Sequence, residues 1–277
     1  MEFGEGSPAG IYEGVPACEY HKTKHTSHSK VKPLVRHETP EHYKHALDNP
    51  ITPTTDMMMG TATHTLILEP HLFDETVETG PTATRRSKGW KERQAEVPDK
   101  ILLTEGETHA VEGMAARIHE EPELVALMTM AGNVFEPTVR WDYTADSGTV
   151  IECKSRPDLW LRSPEVLLDL KTTDSVDDYT FGKRMLDLCY FSQGAMYQHA
   201  MGELGYKIRD VLILAIERKP PYVLDLIRID TETLDLGWRR VRAALEIVAT
   251  CRERNSYPGN TIDLSNIRTV SVPYWAL

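Results

Sequence analysis

Two runs of sequence decide the fold: Thr149-Val-Ile-Glu-Cys-Lys-Ser-Arg-Pro-Asp-Leu-Trp160 and, after the polar break Arg162-Ser-Pro-Glu165, Val166-Leu-Leu-Asp-Leu-Lys-Thr-Thr173. Side chains alternate faces along an extended chain. Asp169 and Lys171 therefore share one side of the second run, while Leu168 and Leu170 share the other, which is apolar enough to face a core. Asp158 lies eleven residues before Asp169, and a hairpin connection can return it beside that strand end. Two carboxylates and a lysine suit a hard divalent cation and a phosphate, because oxygens hold the metal while the lysine stabilises charge or orients a water. The same Asp-x-Lys pair is also what a solvated strand carries as a plain surface ion pair, so its meaning depends on residues elsewhere.

The chain has 277 residues, 40% hydrophobic and 26% charged, enough to bury one large core or two small ones. There is no run of about eighteen apolar residues, so no membrane-spanning segment is expected. The start, Met-Glu-Phe-Gly-Glu-Gly-Ser-Pro, lacks a basic region followed by an apolar stretch, and the expectation is a cytoplasmic protein. Cys18, Cys153, Cys189 and Cys251 are far apart and form no Cys-x-x-Cys pair, which argues against a zinc ribbon, a redox motif or a disulfide framework. A net charge of -11 is unhelpful for holding nucleic acid by its phosphates. Positive charge is locally concentrated, however. Residues 21–45 hold lysines, an arginine and six histidines, and Arg85-Arg86-Ser-Lys88-Gly-Trp90-Lys91-Glu-Arg93 is a second basic run.

Residues 1–53 carry five prolines from Pro16 to Pro53, little apolar periodicity and one short helix at Glu41 to Leu47, and read as an arm packed on a body formed by residues 54–277. Thr54 or Thr55 caps a helix from Asp56 to Glu69, ended by Pro70. Gly60 and His64 lie one turn apart on it. A glycine there suggests that a backbone or ligand comes close, although a lone histidine is also an ordinary half-buried side chain. Residues 79–100 read as a long loop. In it Arg85, Arg86, Lys88, Lys91 and Arg93 are candidate phosphate contacts and Trp90 a candidate stacking platform, with a solvated loop as the alternative. Helices are predicted at 105–120 and 122–131, strands at 134–143, 149–154 and 166–171, and a single long helix at 183–204 that places Gln193 and Tyr197 on one face. Glu136 opens the first strand, with Thr138 and Arg140 on its face. Strands at 211–217 and 222–229 and a helix at 231–254 complete an α/β sandwich with a mixed sheet.

Taken in order, Gly60-x-x-x-His64, Glu136, Arg156-Pro157-Asp158, Asp169-Leu170-Lys171 and Gln193-Gly-Ala-Met-Tyr197 form a set. With Gly10-Ile-Tyr-Glu-Gly14, Glu19-Tyr20-His21, the helix run through Glu69-Pro70 and the terminal Val272-Pro-Tyr-Trp275-Ala276, it resembles the RecE-type (exonuclease VIII) recombination exonucleases of phages and prophages, within the PD-(D/E)XK restriction-endonuclease-like superfamily.

The resemblance implies an α/β core with a mixed sheet flanked by helices. It assigns His64, Asp158 and Asp169, with the backbone carbonyl of Leu170, to magnesium or manganese. Lys171 would activate or orient the attacking water, Gln193 and Tyr197 would position the site or the DNA backbone, and Glu136 would be a supporting acid. Phe191 and Ser192 depart from the histidine and aliphatic residue common before the glutamine.

The implied substrate is a linear double-stranded DNA end, degraded from the 5′ side to leave a 3′ tail for a single-strand annealing partner. The implied assembly is a homo-oligomeric ring, such as a tetramer. The cysteine cluster of the family's iron–sulfur relatives cannot form, since Cys251 alone follows Cys189, and no Gly-x-x-x-x-Gly-Lys-Ser/Thr sequence provides for ATP. Two rivals remain: a nuclease-fold protein that binds DNA or protein without cutting, and a single-strand or structure-specific endonuclease.

Overall fold

The computed structural model describes residues 2–262, 265, 267 and 269–271, so the Val272–Ala276 motif lies outside the described residues. In chain order the first part contains β1 (Gly10–Tyr12), α1 (Ala17–Lys22), α2 (His28–Val35), α3 (Pro40–Asp48), α4 (Thr55–Leu68), α5 (Phe73–Thr76), β2 (Val77–Thr79) and α6 (Lys88–Glu96). The middle contains β3 (Ile101–Leu103), α7 (Glu105–His119), α8 (Pro122–Met128), β4 (Val134–Phe135), β5 (Thr138–Thr144), β6 (Val150–Ser155), β7 (Leu159–Leu161) and β8 (Val166–Thr173). The chain continues through α9 (Asp178–Asp187), α10 (Tyr190–Glu203), β9 (Asp210–Glu217), β10 (Leu224–Arg228) and α11 (Thr231–Arg254).

Helix starts follow local chemistry. The Thr54 side chain accepts from the Met57 N–H, Thr104 and Glu107 form a reciprocal capping box, and Asp177 and Asp230 cap α9 and α11.

The main sheet runs β10-β9-β8-β7-β4. It is parallel between β8 and β9 and antiparallel elsewhere, which makes it mixed, and a three-stranded sheet β1-β5-β6 stands beside it. Parity along β8 sorts its side chains. Val166, Leu168 and Leu170 join the core under α4, α7 and α8, whereas Leu167 joins the core under α2, α10 and α11. Asp169 and Lys171 therefore point to the second side. β7 pairs only Val166 to Leu168, so among the described residues the edge of β8 beyond Leu168 has no neighbouring strand on that side. The sheet opens at that edge, between the two cores.

Several expectations change. The single long helix expected at 183–204 is two helices, because Cys189 adopts a left-handed conformation, φ 61°, between them. The strand expected at 134–143 is split at Glu136, φ 47°, so Glu136 does not share the alternation of Thr138 and Arg140. Residues 79–100 are not one long loop, since α6 forms over Lys88–Glu96 in the middle of them and β2 and β3 pair in parallel on either side. In the first fifty residues α1 and α2 join the expected short helix, and Val31, Leu34, Val35 and Tyr43 lie in the core shared with α10 and α11.

The close crossing of α10 and α11 rests on Gly237. A Cβ there would lie 2.7 Å from the Phe191 carbonyl oxygen and 2.9 Å from Ser192 Cα, both backbone atoms that cannot swing aside. Gly237→Ala is expected to destabilise the protein by on the order of 1–3 kcal/mol through overpacking, despite alanine's better helix propensity. Denaturant unfolding measures this, and an unchanged or raised midpoint would refute the close crossing.

Candidate active site

Asp158 sits immediately before β7, where the antiparallel turn of the chain carries it to the open edge of β8. Its Oδ2 accepts a 2.6 Å hydrogen bond from the Leu170 N–H. Within a strand the N–H and C=O of one residue leave the backbone on the same edge, so the Leu170 carbonyl shares the edge that faces Asp158. From the opposite side α4 delivers His64, whose Nδ1 is 3.4 Å from Asp158 Oδ2. The break between β4 and β5 delivers Glu136, whose N–H donates to the Asp158 carbonyl at 2.9 Å. Ligand atoms of His64, Glu136 and Asp158 all lie within 4.8 Å of one another.

Asp169 is 5% exposed and meets Lys171 Nζ at 2.5 Å through Oδ2. Its Oδ1 is buried without a hydrogen-bond partner among the described residues, a condition that costs about 1–3 kcal/mol unless something occupies the position. Three oxygen- or nitrogen-bearing side chains within one ion's reach fit a hard divalent cation held by His64, Glu136 and Asp158, and the orphaned Asp169 oxygen and the Leu170 carbonyl are further candidate donors on the neighbouring strand end.

The charges are strongly interdependent. Burial pushes the Glu136 carboxyl up to about 8, with the Asp158 charge adding to it. Burial also pushes Asp169 up, to about 6, despite Lys171 and with help from Asp158. Burial works against the Asp158 carboxylate as well, but His64, Lys171 and the Leu170 N–H overcome it and hold the group below its usual range. His64 is raised, because Asp158 outweighs the cost of burying the imidazolium. Burial opposes charge on Lys171 too, yet Asp169 and Asp158 hold its ammonium above the usual range, and the Tyr190 ring lies 4.9 Å from Nζ. Lys171 is thus a permanent cation at neutral pH, suited to donating hydrogen bonds and not to accepting a proton.

On α10, Gln193 Nε2 donates to the Tyr197 hydroxyl at 2.7 Å. Burial, then the charges of Asp169 and Asp158, keep that phenol protonated well above its ordinary value, so its O–H remains a donor. The structure therefore brings His64, Glu136, Asp158, Asp169, Leu170, Lys171, Gln193 and Tyr197 to one place.

Sequence reasoning left Arg156 without a role. Its guanidinium bonds Thr138 Oγ1 at 2.6 and 3.0 Å and the Val15 carbonyl at 2.8 Å, lies 4.3 Å from the Tyr20 ring, and approaches Glu136 at 3.9 Å. It ties the first residues of the chain to the acid. Its place directly before Pro157-Asp158 was the signal. Gly60 needs no special approach, as a Cβ there would meet only Thr172 Oγ1, at an ordinary 3.6 Å.

Within the basic run at 85–93, several of the candidate DNA contacts are already engaged by the protein itself. Arg85 is held by Glu107 through two bonds of 2.8 and 2.6 Å, and Arg93 by Glu78 at 2.5 and 2.8 Å. Lys88 lies 3.5 Å from Glu92. Trp90 is 4% exposed, packed over Gly80, with no free face for a base. Arg86 and Lys91 are exposed.

No curated protein matches the chain in sequence. Among solved structures, a candidate exonuclease from Eubacterium rectale superposes with a TM-score of 0.58 at 15% identity, over 91% of this chain and 97% of that one. A phage-related exonuclease from Haemophilus somnus 129PT covers 70% of this chain and 95% of its own at 10% identity, with a TM-score of 0.34, too low to carry an argument. The first likeness shows a shared fold. The family described as PDDEXK-like domain of unknown function (DUF3799) matches residues 27–267, nearly all of the two cores and every residue of the cluster, and the chain belongs to that family.

Proposed function

We propose that this protein is a divalent-metal-dependent exodeoxyribonuclease that hydrolyses linear double-stranded DNA from the 5′ side and leaves 3′ single-stranded tails. The observation that carries this reading is the buried, unpartnered Asp169 Oδ1 set beside Lys171 and within the same pocket of charge as His64, Glu136 and Asp158. When bound, magnesium or manganese would supply Lewis-acid polarisation of the scissile phosphate.

The chain's own residues do the rest. Lys171, a cation pinned to Asp169, donates to the attacking water and to the charge that builds on the phosphate oxygens as the pentacovalent arrangement forms. Tyr197, steadied by Gln193, offers an O–H donor on the side of the site that faces α10. Asp158 fixes the orientation of His64 and of the Leu170 amide together, so that the donor set is preorganised. Backbone contacts of this type carry little base information, and sequence preference is not expected.

The 5′ polarity, the recombination setting in the host cytoplasm, a ring-shaped homo-oligomer and a single-strand annealing partner are supported by the resemblance in sequence motifs to RecE-type exonucleases. The purified protein should degrade linear duplex DNA in magnesium, spare covalently closed circles and fall silent in EDTA. Cleavage of closed circles or of single strands alone would replace this reading by an endonuclease, and binding without cleavage in magnesium and manganese would leave a silent nuclease fold.

A further inference from the structure

Part of the basic stretch at residues 21–45 comes together with α11 in the fold, and Lys32 and Arg240 in it have no carboxylate partner among the described residues. His28, Lys32 and Arg36 follow at four-residue spacing and form one stripe along α2 and its end. His28 fixes the stripe in place, its Nε2 lying 2.8 Å from Ser192 Oγ in the first turn of α10. From the other flank, the Gly237 crossing brings α11 against Phe191 and Ser192, and one turn further on the Arg240 guanidinium lies 5.4 Å from the Phe191 ring.

Burial raises the Cys189 thiol while Lys32, Arg36 and Arg240 together oppose it, and half-buried Lys32 is lowered first by burial and then by the like charges of Arg36 and Lys171. Tyr190, between Cys189 and Phe191, is the residue whose ring lies under Lys171. No carboxylate pairs with Lys32 or Arg240 among the described residues, and Arg36 has only an exposed contact of 3.7 Å with Glu38. Exposed pairs of that kind contribute little. In a chain of net charge -11 these cations repel one another beside the site, in contrast to Arg85 and Arg93, each neutralised by a glutamate.

We propose that Lys32, Arg36 and Arg240 form a phosphodiester-binding track that holds one DNA strand by its backbone and leads it to Lys171. The inference rests on the nuclease reading and extends it by locating the substrate surface, on α2 and α11 and not on α6. A row of phosphates is the occupant that matches several fixed cations around one helix start, and it makes binding electrostatic and insensitive to sequence.

The test is binding of a fluorescent 20-bp duplex in EDTA, where no cutting occurs, across a salt series. Replacing Lys32, Arg36 and Arg240 together by Gln should make the slope of log K against log salt less negative by about 2.7, three contacts' worth, and weaken binding on the order of 100-fold near 0.1 M salt. The charge-conserving set Lys32→Arg, Arg36→Lys and Arg240→Lys should keep both affinity and slope, which separates lost charge from lost folding.

Unchanged affinity and slope in the Gln variant overturn the track while leaving the nuclease reading intact if the wild type still cuts. The track also falls if Arg86→Gln with Lys91→Gln carries the loss instead. A Gln variant that alters only the oligomeric state would assign the stripe to contacts between copies. A wild-type protein that neither binds nor cuts any DNA defeats both proposals.

Discussion

Asp169→Asn is expected to remove DNA hydrolysis, by on the order of 1,000-fold or more, while leaving a folded protein. A metal centre contributes several kcal/mol of transition-state charge stabilisation, and each 1.4 kcal/mol is about a factor of ten in rate. Asn keeps an oxygen for the Lys171 ammonium but has neither the charge nor the free carboxylate oxygen that Oδ1 provides. The choice of Asn over Ala matters. Removing one partner of a buried pair costs about 3–5 kcal/mol, so Asp169→Ala would leave Lys171 stranded and confuse loss of folding with loss of chemistry. In the Asn variant the nearby Asp158 charge still steadies Lys171. Activity in magnesium, thermal unfolding and metal affinity measured by calorimetry should then separate, with melting close to wild type and both other readouts lost. Retained hydrolysis would place the chemistry elsewhere in the molecule.

The parts of this site visible in the sequence are those fixed by strand parity. Asp169 and Lys171 on one face and Leu168 and Leu170 on the other follow from a period of two, and the observed cores sort these leucines in that way. A helix start was legible where a threonine could cap it, as at Thr54, whereas the Asp230 cap of α11 went unread. The break at Cys189 was not, because neither glycine nor proline marks it. The left-handed turn is imposed by the packing of α9 and α10 on the same core. Helix α2 was hidden by Pro33, which reads as a breaker. It survives because Val31, Leu34 and Val35 are buried against the rest of the core, a tertiary gain that exceeds the local cost. The pairing inside the basic run at 85–93 was illegible for a further reason. Neutralisation by Glu78 and Glu107 depends on β2 and α7 lying across from it, which no local window contains.

Glu136 provides the second large effect, and its sign is opposite to that of a carboxylate held by a cation. Its carboxyl is pushed up to about 8 from 4.5, first by burial and then by the Asp158 charge. A carboxyl with a folded pKa above its unfolded one stabilises the fold while it holds its proton. That contribution is complete below about pH 4.5 and is lost as the pH rises through about 8. Asp169, raised to about 6, adds in the same direction over a lower window. Metal-free protein should therefore lose stability between pH 5 and pH 8. Glu136→Gln, the neutral shape match, should be nearly equal to wild type at pH 5 and more stable at pH 8 by on the order of a few kcal/mol. Arg156 would not be stranded, since it keeps Thr138 Oγ1 and the Val15 carbonyl as acceptors. A divalent cation takes over the role of the protons, so metal binding should tighten steeply from pH 6 to 8 as Glu136, Asp169 and the raised His64 deprotonate. Saturating magnesium at pH 8 should then reverse the order and make wild type the more stable of the two. Denaturant titrations in EDTA and in magnesium at both pH values measure all four quantities. If Glu136→Gln and wild type unfold together at pH 8 without metal, the carboxylates are not held in mutual repulsion, and the electrostatic argument for a cation among them fails.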